Sequence, residues 1–231
     1  MSALILKELR SLFRSPIAYI VVAVFLAVLG YTFSSVLYLT RVPTFVHTVF
    51  QSANLLLVVV PILTMRSFAE ERRSATFELL ITAPVPSYQL VLAKFVGAYI
   101  TVAALIGTTV VFPLTLAWLG APDWGPILSG YLGLLGLSSV LVAIGICASA
   151  ATTHQAIAAV SAIGVSLLLW MAGTLAVLLP DPFDHLPLAL SLHGHLRPFA
   201  TGLIYLSDLG FFVLATMIAL VLAHRLLGRR P

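Results

Sequence analysis

The stretch from Trp124 to Pro180, WGPILSGYLGLLGLSSVLVAIGICASAATTHQAIAAVSAIGVSLLLWMAGTLAVLLP, contains no Asp, Glu, Lys or Arg. A membrane-crossing helix needs about 20 mostly apolar residues, so this stretch is too long for one crossing. It folds back once, and Ala151-Thr152-Thr153-His154-Gln155 is the only polar break. The reading is a helical hairpin with spans over 127–150 and 156–179.

The rest of the chain follows the same rule. Apolar runs over 17–38, 46–65, 87–119 and 209–227 add four spans. The predicted fold is an all-α polytopic membrane protein of six transmembrane helices, one domain over 1–231. Span 2 holds Asn54 and Pro61, which predicts a kink near Pro61. Span 3 is longer than the bilayer requires, and Pro113 is placed to bend its far end. Residues 1–15 form an amphipathic segment, with Ile5, Leu9, Leu12 and Phe13 at helical spacing and Lys7, Arg10 and Arg14 as the polar anchor. Such a helix lies in the membrane interface. The first apolar run is too long for a signal-peptide core and reads as a retained span. Residues 181–208 carry several prolines and read as a loop with one or two short helices at the interface.

Composition supports this. Of the 231 residues, 61% are hydrophobic and 9% charged, and mean hydropathy is +1.11. Soluble domains carry about 25% charged residues, so a soluble chain of this composition could not cover its surface. The net charge of +4 does not point to nucleic acid, because the basic residues flank the apolar runs. One side receives Lys7, Arg10, Arg14, Arg66, Arg72, Arg73, Lys94, Arg225, Arg229 and Arg230, and the other only Arg41 and Arg197. By the positive-inside rule the first side, with both termini, is cytoplasmic. Cys147 is the only cysteine, so the chain has no internal disulfide and no cysteine metal framework.

The charged segment from Arg66 to Pro86 joins spans 2 and 3. Ser67 and Glu70 have the spacing of a capping box, Phe68, Phe77, Leu79 and Leu80 supply an apolar side, and the helix restarts at Ser87. A short helical element rigidly joined to two spans would act on them as a lever. On the residues alone, a solvated interfacial connector is the plainer reading.

The segment resembles the ABC-2 type membrane domains of ABC transporters. Their paired charges, Thr, Glu, Leu pair and Pro fall here on Glu70-Glu71-Arg72-Arg73, Thr76, Glu78, Leu79-Leu80 and Pro84, with Ala75 where the family often has Gly. Lys94-Phe95, Pro122-Asp123-Trp124-Gly125-Pro126, Gly130-Tyr131-Leu132-Gly133, Ala148-Ser149, the run from Leu192 to Phe199, Gly202 and Asp208 extend the resemblance. They are similar to the gliding-motility-associated permease branch. The resemblance implies an exporter permease in the bacterial inner membrane. Its coupling helix, between spans 2 and 3, sits in a cleft of a cytoplasmic ATPase. Glu70, Glu71, Arg72, Arg73, Thr76 and Glu78 are then the coupling residues, since paired charges steer encounter and fix register.

The chain contains no Gly-x-x-x-x-Gly-Lys-Ser/Thr loop, and neither of its two lysines, Lys7 and Lys94, follows a glycine. It is therefore read as a non-catalytic subunit, with ATP and Mg²⁺ bound by the partner. Six spans enclose a pathway poorly, so a second copy or a sister permease is expected beside it. Small pairs such as Gly145 and Ser149 do not locate that interface.

Other residues are weighed as follows. His193-Gly194-His195 with Asp181, Asp184 and His185 could bind a metal, but caps the bundle on the plainer reading. His154 reads as the polar break. Gln51, Asn54, Thr108, Thr109 and Ser166 read as pathway lining or, more simply, as bonds between helices. Tyr19, Trp118, Trp124, Tyr131 and Tyr205 read as interfacial belt residues. Two rival classes remain. An ATPase-independent secondary transporter or channel usually carries ionisable groups within its spans, where this sequence places none. An intramembrane enzyme would need an acid pair, a Ser-His pair or a His-Glu metal motif in them.

Overall fold

The computed structural model describes residues 16–40, 44–73, 87–120, 122–176, 180 and 185–228. They form helices α1 (Pro16–Thr40), α2 (Val46–Thr64), α3 (Arg66–Arg73), α4 (Ser87–Thr108), α5 (Val111–Leu119), α6 (Trp124–Ala151), α7 (Gln155–Ala176), α8 (His185–Leu190), α9 (Leu192–Ala200) and α10 (Leu206–Gly228). Six stretches are long and apolar enough to cross a membrane: Tyr19–Leu39, Val46–Ala69, Tyr88–Trp118, Trp124–Ala151, Gln155–Ala176 and Leu206–Leu227. The anticipated N-terminal interfacial helix, with Lys7, Arg10 and Arg14, lies outside the described residues.

Helix α6 is the axis of the bundle. It packs against α2, α3, α4, α7, α9 and α10. Lipid tails are as apolar as leucine, so close packing rather than transfer from water holds such helices together. Gly133 makes this possible at one point: a Cβ there would come within 2.7 Å of the Phe199 Cβ and 2.9 Å of the Leu196 Cδ1. Asp123 starts α6 by accepting the Gly125 N–H at 3.0 Å, an N-cap that shifts the span three residues earlier than the hydropathy pattern implied. Helix α1 stands at the edge and packs mainly on α2.

The hairpin read from residues 124–180 is present, with its turn at Thr152–His154. Span 3 is interrupted: Thr109 and Val110 separate α4 from α5. Pro113 has no N–H to give the Thr109 carbonyl, which instead accepts Phe112 N–H at 3.0 Å. The Thr109 hydroxyl lies 2.6 Å from the Ile106 carbonyl and 3.0 Å from the Tyr131 hydroxyl. Tyr131 is thus a partner inside the bundle, not a belt residue. Trp118, Trp124, Tyr19 and Tyr205 are exposed as a belt requires.

The segment after α7 holds two short helices, α8 and α9, as the sequence suggested. Helix α9 turns Leu192, Leu196, Phe199 and Ala200 into the bundle and leaves His193, Gly194 and Arg197 exposed. Ser191 caps it by accepting the Gly194 N–H at 3.1 Å, and Ser129 of α6 donates to the Phe199 carbonyl at 2.6 Å. His195 meets Asp208 of α10 at 2.7 Å and the Ala189 carbonyl at 3.2 Å. His193 stacks on Phe50 at 5.1 Å and meets Trp170 edge-on at 5.0 Å. No group of three or more potential metal ligands occurs among the described residues, and Asp181 and Asp184 lie outside them.

The His193 ring gives a pH prediction. Partial desolvation beside the two rings, and then the Arg197 charge, push the pKa of this exposed residue below the ordinary 6.5. The folded chain prefers the neutral ring, so the unfolded chain binds more protons below pH 6.5. Stability contributed here is complete above that pH and falls as the solution is acidified. Thermal unfolding at pH 7.5 and 5.5 should show a loss that His193→Phe reduces.

Candidate functional site

The site is the elbow where α2 passes into the charged helix α3. Helix α2 contains Pro61 and ends at Thr64, and the single residue Met65 separates it from α3. Met65 still gives its N–H to the Pro61 carbonyl at 2.9 Å.

The break has a visible cause. The Ser149 hydroxyl, on α6, accepts the N–H groups of Phe68 (2.9 Å) and Ala69 (3.1 Å) and donates to the Met65 carbonyl (3.0 Å). It stands between the Ala69 N–H and the Met65 carbonyl, the pair that a continuous helix would join. Met65 itself keeps helical backbone angles (φ −55°, ψ −28°), so the interruption is one of hydrogen bonding at a single residue. Because α3 starts at Arg66, Ser67 lies inside its first turn and is not the N-cap; the first-turn donors belong to Ser149.

Two more contacts between helices hold this junction. Gly145, one turn before Ser149, lies under Thr64, so that a Cβ there would overlap the Thr64 side chain. Thr64 is fully buried and turns its hydroxyl to the Val60 carbonyl at 2.9 Å. Lys94 of α4 is buried at 2% exposure and its ammonium lies 4.9 Å from the Phe68 ring centroid, a cation–π distance. The Arg66 Nε is buried with no hydrogen-bond partner among the described residues.

Of the residues expected to couple to an ATPase, Glu70, Glu71, Arg72 and Arg73 lie on α3, where only the backbone is described. Thr76 and Glu78 lie outside the described residues. The acid and base pairs therefore occupy the turns just past the Ser149 clip. The spans are also not free of ionisable groups, since Lys94 and Asp208 are buried within spanning helices. Both have identifiable contacts, Phe68 for one and His195 for the other.

Residues 52–223 match the family model described as ABC-2 family transporter protein. The match covers about three-quarters of the chain. The chain belongs to the ABC-2 family. No curated protein matches it. As an ABC-2 membrane protein it is of the class that associates with an ATPase subunit, and both α3 and its Ser149 clip fall inside the matched region.

The sequence placed a charged segment after span 2 but gave no sign of its fastening to α6. Gly145 and Ser149 read as a common small pair, yet Gly145 lies against Thr64 and Ser149 bonds α3. The available signal was a Pro-x-x-Thr-Met-Arg exit from span 2 facing an uncharged span with a small pair at the same depth. That signal exists only once the two spans are known to be neighbours.

Proposed function

We propose that this chain is the permease subunit of an ATP-driven ABC exporter, and that α3 is its coupling helix. The observation that carries this is the Ser149 clip. It ties the first turn of α3 to α6, the helix on which α2, α4, α7, α9 and α10 all lean. A push on α3 would therefore move the centre of the bundle and not only the ends of two spans.

On this reading Glu70, Glu71, Arg72 and Arg73, with Thr76 and Glu78, meet a separate cytoplasmic ATPase that holds ATP and Mg²⁺. The ATPase closes on nucleotide, displaces α3, and shifts the spans between two access states. Lys7, Arg10 and Arg14 anchor an interfacial helix beside it. The chain works in a bacterial inner membrane, with α3 and both termini on the cytoplasmic side, and pairs with a second copy or a sister permease. The resemblance to the gliding-motility-associated branch supports an assembly of that type.

The test is affinity purification from native membranes in mild detergent. A stoichiometric subunit bearing a phosphate-binding loop is expected, with ATPase activity. Glu71→Ala together with Arg72→Ala should weaken association markedly, because truncating charge pairs in a docking surface costs about 2–5 kcal/mol when they are buried there. If the double variant keeps both the subunit and its activity, the coupling assignment is wrong.

A further inference from the structure

We propose that the cleft between α1 and α2 is a water-filled binding site for an uncharged amphiphile carrying hydroxyl or amide groups. The cleft has a volume of about 270 Å³ and is lined by Thr32, Phe33 and Val36 of α1 and by His47, Thr48, Phe50, Gln51 and Asn54 along α2. His47, Gln51 and Asn54 follow one another at helical spacing and share one face. Asn54 lies eight residues beyond Val46. At 1.5 Å per residue that is about 12 Å along the helix, near the middle of a hydrocarbon layer about 30 Å thick.

Polar groups at that depth need partners, because each unsatisfied one costs several kcal/mol in lipid. Asn54 is exposed and Gln51 half-buried, and neither amide makes a hydrogen bond with the described residues. The facing hydroxyl is already used, since Thr32 donates to the Val28 and Leu29 carbonyls at 3.0 and 3.1 Å. The amides are thus not bonding α1 to α2. Other candidates of the same kind are satisfied or closed off: Thr108 donates to the Leu105 carbonyl at 2.6 Å, Thr109 bonds Tyr131, and Ser166 is fully buried.

On this proposal water or a solute fills the cleft. Its volume holds about nine waters at ~30 Å³ each, or one ring-sized group. Among the described residues the lining offers amides, an imidazole and two Phe faces, and contains no Asp, Glu, Lys or Arg. An ion entering it would lose hydration without meeting a counter-charge. An uncharged ligand with hydrogen-bonding groups beside apolar surface meets both halves of the lining. This inference does not depend on ATPase coupling.

Cysteine accessibility tests it, starting from Cys147→Ala, which removes the only cysteine. Gln51→Cys and Asn54→Cys are reconstituted in lipid vesicles and exposed to a water-borne thiosulfonate on both faces. Thr201→Cys, in an exposed turn, is the aqueous reference, and Leu168→Cys, on the exposed side of α7, is the lipid reference. Asn54→Cys should react like Thr201→Cys and roughly 100-fold faster than Leu168→Cys, because apolar surroundings raise a thiol pKa by about two units or more. Submicellar octyl glucoside should slow Asn54→Cys at least about threefold at twice its Kd, leaving Thr201→Cys unchanged. Octyl sulfate and octyltrimethylammonium should not protect. An Asn54→Cys as inert as Leu168→Cys overturns the proposal and means that lipid or a second copy covers the face. Reactivity without protection, or equal protection by the charged amphiphiles, overturns the ligand class.

Discussion

Ser149→Ala is expected to release the Phe68 and Ala69 amides to solvent exchange while leaving the six-span bundle folded. The hydroxyl is fully buried and makes three contacts with the elbow backbone. Leaving buried groups unpaired costs about 1–3 kcal/mol, which corresponds to exchange about 5- to 150-fold faster at those amides. Part of the loss can be regained if α3 straightens onto α2 and Ala69 bonds Met65 directly. Hydrogen exchange of peptides spanning residues 64–73 in lipid nanodiscs reads the effect. If α3 is the coupling helix as proposed, the variant should retain its ATPase subunit but lose most nucleotide-driven change in the spans. Ser149→Cys, with a weaker donor and acceptor, should fall between. Unchanged exchange at Phe68 and Ala69 would mean that the clip does not hold the elbow.

Gly145→Leu should have the largest effect on stability. The position lies directly against Thr64, whose β-branched side chain has little rotamer freedom. Overpacking typically costs about 1–3 kcal/mol, and here it forces α2 away from the central helix. Gly145→Ala is the more informative variant. Its gain in helix propensity, about 1 kcal/mol, opposes the clash, so the net loss should be small but should vanish when Thr64→Ala is added. A double-mutant cycle on unfolding should give a coupling of about 1 kcal/mol or more. Strict additivity would show that the two residues do not touch.

How far the sequence could be read depended on whether a feature was local. The hairpin over 124–180 was legible because a charge-free stretch that long has one way to satisfy the bilayer. The N-cap at Asp123 and the turn at His154 are likewise local. The break at Thr109 was only half legible: Pro113 announced a bend, but the freed carbonyl lies four residues upstream, and that is where the helix stops. The short helices of residues 185–200 were legible, but the depth to which α9 packs was not. Leu192, Leu196, Phe199 and Ala200 nevertheless form a buried stripe at helical spacing. The elbow needed tertiary knowledge, because Ser149 lies about 80 residues from the amides it accepts. The charged turn Glu70–Arg73 was visible by composition alone, since mixed charges beside a span have few uses.

The most direct test of the coupling assignment is a photo-crosslinking amino acid placed at Glu71, on α3 just past the clip. In native membranes it should capture one protein of defined mass carrying a phosphate-binding loop, and capture should change when nucleotide is added. Capture of lipid alone, while that ATPase co-purifies through some other surface, would contradict the assignment of α3 as the coupling helix.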